Sequence, residues 1–303
     1  MAIYTINESQ RSAAGAAGFL QSLPDSTAAH KRYSLDIFAD IALKAAARFW
    51  FLVAVIGQWI FVVYIVSFYG GAAVQGDLAR WGQGLRHAYV PGDHMGNFVL
   101  AMHLLLAVIV TVGGPLQLIP QLRAIAPSFH RWNGRIYLLT TFTISITALY
   151  LMWIRGGTAG GVVLHAGASL NALLIVFCGV MALRYALARK FDVHRRWALR
   201  LFLVVSGFWF FRIGLMLWLI LNQGPVGFNP ATLQGPFLDF LSFAEVLPLA
   251  VLEIYLRVRD GAGAPGKFAM AASLLVLTVA MGIGIFGATM GMWLPRIIFA
   301  LGR

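Results

Sequence analysis

Charged residues are scarce in this chain, and acidic residues are the scarcest. Asp and Glu together number 11 against 23 Lys and Arg, and charged residues make up only 11% of a sequence that is 60% hydrophobic. Roughly 25% of the residues of a soluble domain are charged, so the composition excludes an ordinary soluble protein. The single cysteine, Cys178, excludes an internal disulfide, and there is no C-x-x-C-H motif that could attach a c-type haem covalently.

Long apolar stretches take the place of the missing charge. A transmembrane helix needs about 20 apolar residues, and seven stretches reach that length: 47–69, 97–119, 134–154, 162–186, 198–221, 238–256 and 268–290. We therefore predict an all-α integral membrane protein with seven transmembrane helices within residues 47–303. Residues 1–46 form a separate N-terminal segment, in which the mixed polar and apolar rhythm of residues 33–46 predicts a short interfacial helix.

The net charge of +12 is concentrated in alternate loops. Lys and Arg are abundant before the first stretch and after the second, fourth and sixth stretches, whereas the other loops hold few. The positive-inside rule then places the N-terminal segment in the cytoplasm. We expect a multi-pass protein of the bacterial inner (cytoplasmic) membrane whose basic loops meet anionic lipid headgroups. This distribution argues against a nucleic-acid partner.

Four of the seven histidines lie one in each of four consecutive apolar stretches: His103, His130, His165 and His194. The first and third lie towards the outer ends of their stretches, and the second and fourth lie at the inner ends. Paired imidazoles in an apolar helical bundle are typical ligands of haem iron. If the second to fifth stretches, about 97–221, form a four-helix core, the pairs lie across its diagonals and hold one or two haem b groups. The alternative for His130 and His194 is contact with lipid headgroups.

The two inner histidines lie in similar surroundings. His130 and His194 are each followed by an arginine and then a tryptophan, and each is preceded by a candidate capping residue, Ser128 or Asp192. Helical periodicity places Tyr137 on the face of His130. Three arginines that suit haem propionates surround the pair: Arg131, Arg135 and Arg195. We expect these residues to belong to the cofactor site.

Two charged residues lie within apolar stretches at similar depth, Arg212 and Glu245. Buried charges in a membrane are usually paired, so we expect an ion pair that is either structural or catalytic, with Glu245 exchanging protons with a quinol. Gly113-Gly114-Pro115 predicts a kink or break in the second stretch. In the last stretch Gly287 and Gly291 form a small-xxx-small pair, which indicates either a contact within the molecule or a homodimer face.

Several motifs carry a resemblance to a known family. They comprise His103, Gly114-Pro115-Leu116-Gln117, Pro120-Gln121-Leu122-Arg123, the run from His130 to Tyr137 (HRWNGRIY), His194-Arg195-Arg196-Trp197, Arg212 and Glu245. Over residues 97–256 the chain resembles a bacterial family of predicted multi-pass membrane proteins, catalogued as domain of unknown function 2306. That resemblance implies no established activity.

The order of the histidines is also similar to that of the di-haem transmembrane cytochromes b of the b-561 type. In those proteins four successive helices each supply one histidine, and the first pairs with the third and the second with the fourth. The leading hypothesis is thus a haem-dependent membrane electron carrier or oxidoreductase with quinone as a partner. The alternatives are a non-redox transporter built around Arg212 and Glu245, and an assembly or scaffold subunit.

Overall fold

The computed structural model describes residues 26–84, 88–156, 160–244 and 246–302, with side chains from residue 33 onward. Those residues form twelve α-helices: α1 Ser26–Tyr64, α2 Gly71–Val74, α3 His94–Leu118, α4 Pro120–Ile125, α5 Pro127–Leu149, α6 Val162–Leu187, α7 Phe191–Val205, α8 Gly207–Leu221, α9 Pro236–Ala244, α10 Leu247–Gly261, α11 Ala264–Ala288 and α12 Leu294–Leu301. Short π-helical turns extend α1, α5 and α11 at Ile65–Gly70, Tyr150–Ile154 and Thr289–Trp293. The all-α prediction is confirmed for this part of the chain.

Five helical segments of the described chain are long and apolar enough to cross a membrane: Tyr33–Val74, His94–Leu118, Pro127–Ile154, Val162–Leu187 and Ala264–Leu301. A sixth crossing results if the bent pair α7 and α8 counts as one span. Large apolar side chains cover much of the outer surface; Leu139 is 70% exposed and Phe286 is 64% exposed. Such a surface is stable only against lipid or a partner, so the chain is a multi-pass membrane protein.

The structure divides two of the predicted segments differently. The stretch 238–256 consists of two short helices, α9 and α10, and neither is among the helices long enough to span a membrane. Residues 33–46 are not a separate interfacial helix, because α1 runs through them without interruption. The expected caps are also wrong: α5 and α7 begin at Pro127 and Phe191, so Ser128 and Asp192 lie inside the first turn.

A bend of 51° separates α7 from α8 at Ser206. The Ser206 hydroxyl donates to the carbonyl of Phe202 (2.8 Å) and accepts from Nε2 of Gln58 (2.9 Å). Serine next to glycine is a common cause of a sharp helix kink, and Gly207 follows directly. By contrast, α3 continues without a break through Gly113-Gly114-Pro115, so the predicted break is wrong.

Four helices form a closed ring at the centre of the fold. Helix α3 packs against α5, α5 against α6, α6 against α7, and α7 against α3. The helices across each diagonal, α3 and α6 or α5 and α7, therefore lie apart. Glycines allow the close approach of α3 and α5, because a Cβ on Gly113 would lie 3.1 Å from Oδ1 of Asn133. The four-helix core expected from the second to fifth apolar stretches is present. Its diagonal pairs are α3 with α6 and α5 with α7, as expected.

The remaining long helices flank this ring. Helix α11 packs against α1 and α8, while α10 packs against α7 and α11. A bidentate ion pair between Arg200 of α7 and Glu253 of α10, at 2.6 and 3.0 Å, fixes α10. Gly287 of α11 serves a contact within the molecule, since a Cβ at this position would collide with Ile220 of α8. Gly291 faces open space, so a homodimer would have to use that side of the helix.

Candidate functional site

A cavity of about 640 Å³ lies inside the four-helix ring and extends to α1 and α8. Most of its lining is apolar, and ligand-binding cavities of roughly this size and character accept whole organic molecules. Two of the four predicted histidine ligands line it, His103 from α3 and His165 from α6. Because α3 and α6 lie across a diagonal of the ring, the two imidazoles reach the cavity from different sides. Tyr137 and Arg212 line the same cavity.

His103 is held in one orientation by a neighbouring helix. Its Nδ1 lies 2.9 Å from the hydroxyl oxygen of Thr147, and that hydroxyl donates to the carbonyl of Ile144 at 3.0 Å. The Thr147 oxygen therefore accepts the Nδ1 proton of a neutral imidazole. Nε2 then carries the lone pair and is the nitrogen that can bind a metal or accept a proton.

Two of the other predicted residues in the cavity, His165 and Arg212, have fixed surroundings as well. His165 occupies the first turn of α6, and its ring meets that of Trp153 edge to face at 5.6 Å between centroids. Arg212 donates from a guanidinium nitrogen to the carbonyl of Phe208 (2.9 Å), and the guanidinium carbon lies 5.2 Å from the ring centre of Phe61. Arg212 thus points into the bundle and brings a positive charge to the cavity wall.

Four buried polar atoms on the cavity wall have no hydrogen-bond partner among the described residues: Oε1 of Gln58, the hydroxyl of Tyr137, Oδ1 of Asn171 and Nε1 of Trp209. Buried polar groups in folded proteins are nearly always satisfied, so these atoms mark the place of a polar ligand or water. The sequence analysis missed three of them. The available signal was an amide such as Gln58 or Asn171 in the middle of an otherwise apolar stretch.

A polar network closes the outer side of the cavity. Asp93 caps α3 by accepting from the Gly96 amide at 2.8 Å, and Arg155 donates to Asp93 and to Asn97, both at 2.8 Å. The Gly96 amide, followed by Arg155, holds the pKa of the Asp93 carboxyl below its usual range. Arg155 also bonds the carbonyl of Ala88 (3.1 Å), so the loop that carries Ala88 is fixed over the cavity.

The inner pair, His130 and His194, lies outside this cavity. Both occupy the same place in their helices: the amide of each binds the carbonyl four residues earlier, that of Ala126 or of Lys190. They lie close enough to interact electrostatically. Nδ1 of His194 donates to the carbonyl of Ala182 at 2.9 Å, which leaves Nε2 available, whereas Nδ1 of His130 is buried without a partner in the described part of the chain.

The arginines expected around the inner pair are exposed. Arg131 donates to the hydroxyl of Ser128 at 3.0 Å, and the guanidinium of Arg135 lies 4.9 Å from the ring centre of Trp132. Arg195 is also on the surface, so these three cations do not surround a buried site in the described part of the chain. Glu245, the expected partner of Arg212, lies outside the described residues.

His103 and His165 are the residues that would hold haem b, because both imidazoles line one largely apolar cavity and come from helices across a diagonal of the ring. The described residues contain no cluster of three or more His, Cys, Asp or Glu side chains for a metal ion. A bis-imidazole haem needs only two protein ligands, because the porphyrin supplies the other four. His130 and His194 also offer two imidazoles, but neither residue lines this cavity.

Comparison with known proteins adds one finding. Residues 100–235 match the model of a family described as "Predicted membrane protein (DUF2306)". The matched segment contains all four histidines and Arg212 and covers the four-helix ring together with α8. No curated protein and no solved structure matches the chain.

Proposed function

We propose that this chain, whose residues 100–235 match that family of predicted membrane proteins, is a membrane electron-transfer protein or oxidoreductase that binds haem b. We place it in the bacterial inner membrane with seven crossings, the N-terminal segment in the cytoplasm and the basic loops against anionic headgroups. The additional crossing, beyond the five long helical segments and the bent pair α7 and α8, is the segment of α9 and α10. The support for this orientation is the concentration of Lys and Arg in alternate loops.

The observation that carries the proposal is the presence of His103 and His165 in one cavity of about 640 Å³ between diagonal helices. Haem b, when bound there, supplies reversible one-electron chemistry. Thr147 orients the His103 ring so that Nε2 is the ligand nitrogen. Arg212 offers a fixed positive charge at the cavity wall, suited to a propionate or to any other anionic group. His130 and His194 are the proposed ligands of a second haem.

Quinone is the proposed redox partner. Asn171 lies further along α6 than His165, and Tyr137 packs beside Gly114, well beyond His103 on α3. The unsatisfied polar atoms therefore lie deeper in the cavity than the histidines. A quinone head accepts hydrogen bonds from donors such as Tyr137 and Trp209, and a hydroquinone donates to acceptors such as Asn171.

A second candidate function is non-redox transport. The bend at Ser206–Gly207 makes α7 and α8 a discontinuous span, and Arg212 reaches the cavity just beyond that bend. Broken helices beside a central cavity are typical of transporter binding sites. In this alternative Glu245 and Arg212 are the substrate or proton site, and the histidines are structural.

A reduced-minus-oxidised absorption spectrum of the detergent-purified protein, with a haem-to-protein ratio, tests the proposal. We expect a low-spin b-type spectrum with up to two haems per chain. His103→Ala with His165→Ala should remove one haem, and His130→Ala with His194→Ala should remove the second. The matched control is His94→Ala, at an exposed histidine of the same helix as His103. A colourless protein produced with ample haem would overturn the cytochrome proposal and favour transport, which Arg212→Ala should then abolish.

A further inference from the structure

A second cavity, of about 720 Å³, lies on the basic side of the molecule, away from the histidines. We call it the basic groove. Its polar lining consists of Lys44, Arg48, Gln121, Tyr255 and Arg259, and no Asp or Glu lines it. The rest of the lining is almost wholly apolar and includes Trp50, Phe51, Leu203, Phe210, Val251, Leu252, Leu274, Leu277 and Met281. The groove therefore combines a cationic end with a long hydrophobic wall.

The groove results from the way the outer helices pack. Helix α1 packs against α3 and α11, whereas α10 packs against α7 and α11. A gap remains between α1 and α10, and residues of α7, α8 and α11 form its floor. Part of the wall is open to the surroundings, because Leu247 is 56% exposed and Leu277 is 37% exposed. In a membrane this opening faces lipid.

The cations at the groove are available for an anion. Lys44 and Arg48 lie one turn apart on α1, both are exposed, and neither has an ion pair among the described residues. The carboxylate one turn earlier, Asp40, is bound to Lys267 at 2.8 Å. Arg259 reaches the groove from the last turn of α10, and its Nε binds Asp260 at 2.9 Å. Lys44 and Arg48 thus have no direct ion pair among the described residues, and Asp40, which acts on Lys44 at longer range, is bound to Lys267.

We propose that the basic groove binds one anionic phospholipid. Its phosphate lies at Lys44 and Arg48 with Arg259 on the opposite wall, and its acyl chains lie along the apolar lining. Basic pockets between transmembrane helices are suited to anionic headgroups, and the apolar wall adds the burial of methylene groups that inorganic phosphate lacks. The proposal is independent of haem, because no residue of the groove belongs to the histidine pairs.

Quenching of tryptophan fluorescence by phosphatidylglycerol with brominated acyl chains tests the groove in the purified full-length protein. Trp50 lines the wall, so we expect saturable quenching with one lipid per chain, and Trp50→Phe should remove that component. Lys44→Gln with Arg48→Gln should weaken the binding by on the order of 10- to 30-fold. The control pair Arg123→Gln with Lys190→Gln removes the same charge from exposed sites outside the groove and should leave the affinity unchanged.

Three results would overturn the proposal: equal quenching by brominated phosphatidylcholine, an equal loss of affinity in the control pair, or full competition by millimolar inorganic phosphate. The last result would mean that only the headgroup is recognised. Ala47→Phe provides a variant without any change in charge, because Ala47 lines the groove. It should exclude the lipid while the thermal unfolding midpoint in detergent stays near that of the wild type.

Discussion

At the scale of single residues, the most constrained group near the outer mouth of the cavity is Asp93. It caps α3 and binds Arg155, so its charged form is stabilised in the folded state and its pKa is lowered. A carboxyl with a lowered pKa contributes stability above the pKa of the unfolded chain and loses that contribution as the pH falls through its own pKa. The outer cap should therefore weaken in acid.

Asp93→Asn tests this network. We expect the variant to unfold at a lower temperature than the wild type at neutral pH, because Arg155 loses its ionic partner. The difference should shrink as the pH falls below the usual pKa of aspartate, about 3.9, and vanish only below the lowered pKa of Asp93 in the folded protein. Thermal unfolding in detergent over a series of pH values from neutral into acid measures it. Asp192→Asn is the control, since Asp192 is exposed and forms no ion pair within the described residues; an equal effect there would contradict the expectation.

Residue identity indicated some of the residues that line the cavity, but not how the predicted residues assemble. A histidine in an apolar stretch indicates a functional or bonded group, and His103 indeed lies at the cavity with its ring bonded. Which rings share a cavity depends on helix rotation and tilt, which the residue itself does not fix. For the same reason the exposure of Arg131, Arg135 and Arg195 could not be read from their positions near His130 and His194.

At the scale of helices, Gly284 makes the closest backbone contact between α8 and α11. A Cβ on Gly284 would collide with the backbone oxygen of Ile213, which cannot move without displacing α8. Gly282, on the same helix, has nothing within 4 Å of the equivalent position. The two glycines therefore differ in function although they are two residues apart.

Gly284→Ala should destabilise the protein by about 1–3 kcal/mol, because an extra methyl group in a tight interface forces the backbones apart. Gly282→Ala should be neutral or stabilising by up to about 1 kcal/mol, as for alanine at an unconstrained helical glycine. Chemical or thermal unfolding in detergent measures both variants. Equal stability of the two variants would show that α8 and α11 are free to move apart.

Helix boundaries were predictable only in part. Apolar length predicted α1, α3, α5, α6 and α11, because each belongs to a helical segment that is long and apolar enough to cross a membrane. The neighbouring Ser206 and Gly207 are a local signal for a bend, but the bond from Gln58 of a distant helix that holds Ser206 could not be predicted from the sequence. The continuous α3 shows the reverse: the helix runs on to Leu118 although Pro115 removes one of its backbone hydrogen bonds.

At the scale of the whole molecule, the proposed orientation rests on the distribution of charge. Lys190 precedes α7 and Asn222 follows α8, and both are exposed. If the bent pair crosses the membrane once, these residues lie on opposite sides, and we expect Lys190 on the cytoplasmic side because its loop is basic.

Cysteine labelling tests both the crossing and the orientation. In a Cys178→Ala background, Lys190→Cys should react with an impermeant maleimide only in inverted membrane vesicles, and Asn222→Cys only in intact spheroplasts. The opposite pattern would reverse the orientation. Reaction of both cysteines from one side would show that α7 and α8 form a re-entrant segment.

The sequence by itself determined the membrane class, the all-α architecture, the four-helix core and the residue types of the candidate site. These depend on apolar length, charge and the periodicity of helices, which are local and follow from the solvent around each segment. The tertiary structure decided that His103 and His165, rather than all four histidines, share a cavity with Tyr137 and Arg212. It also decided the bend at Ser206 and the basic groove. The rotation of each helix and the gaps between helices arise from packing of side chains far apart in the chain, which no local pattern specifies.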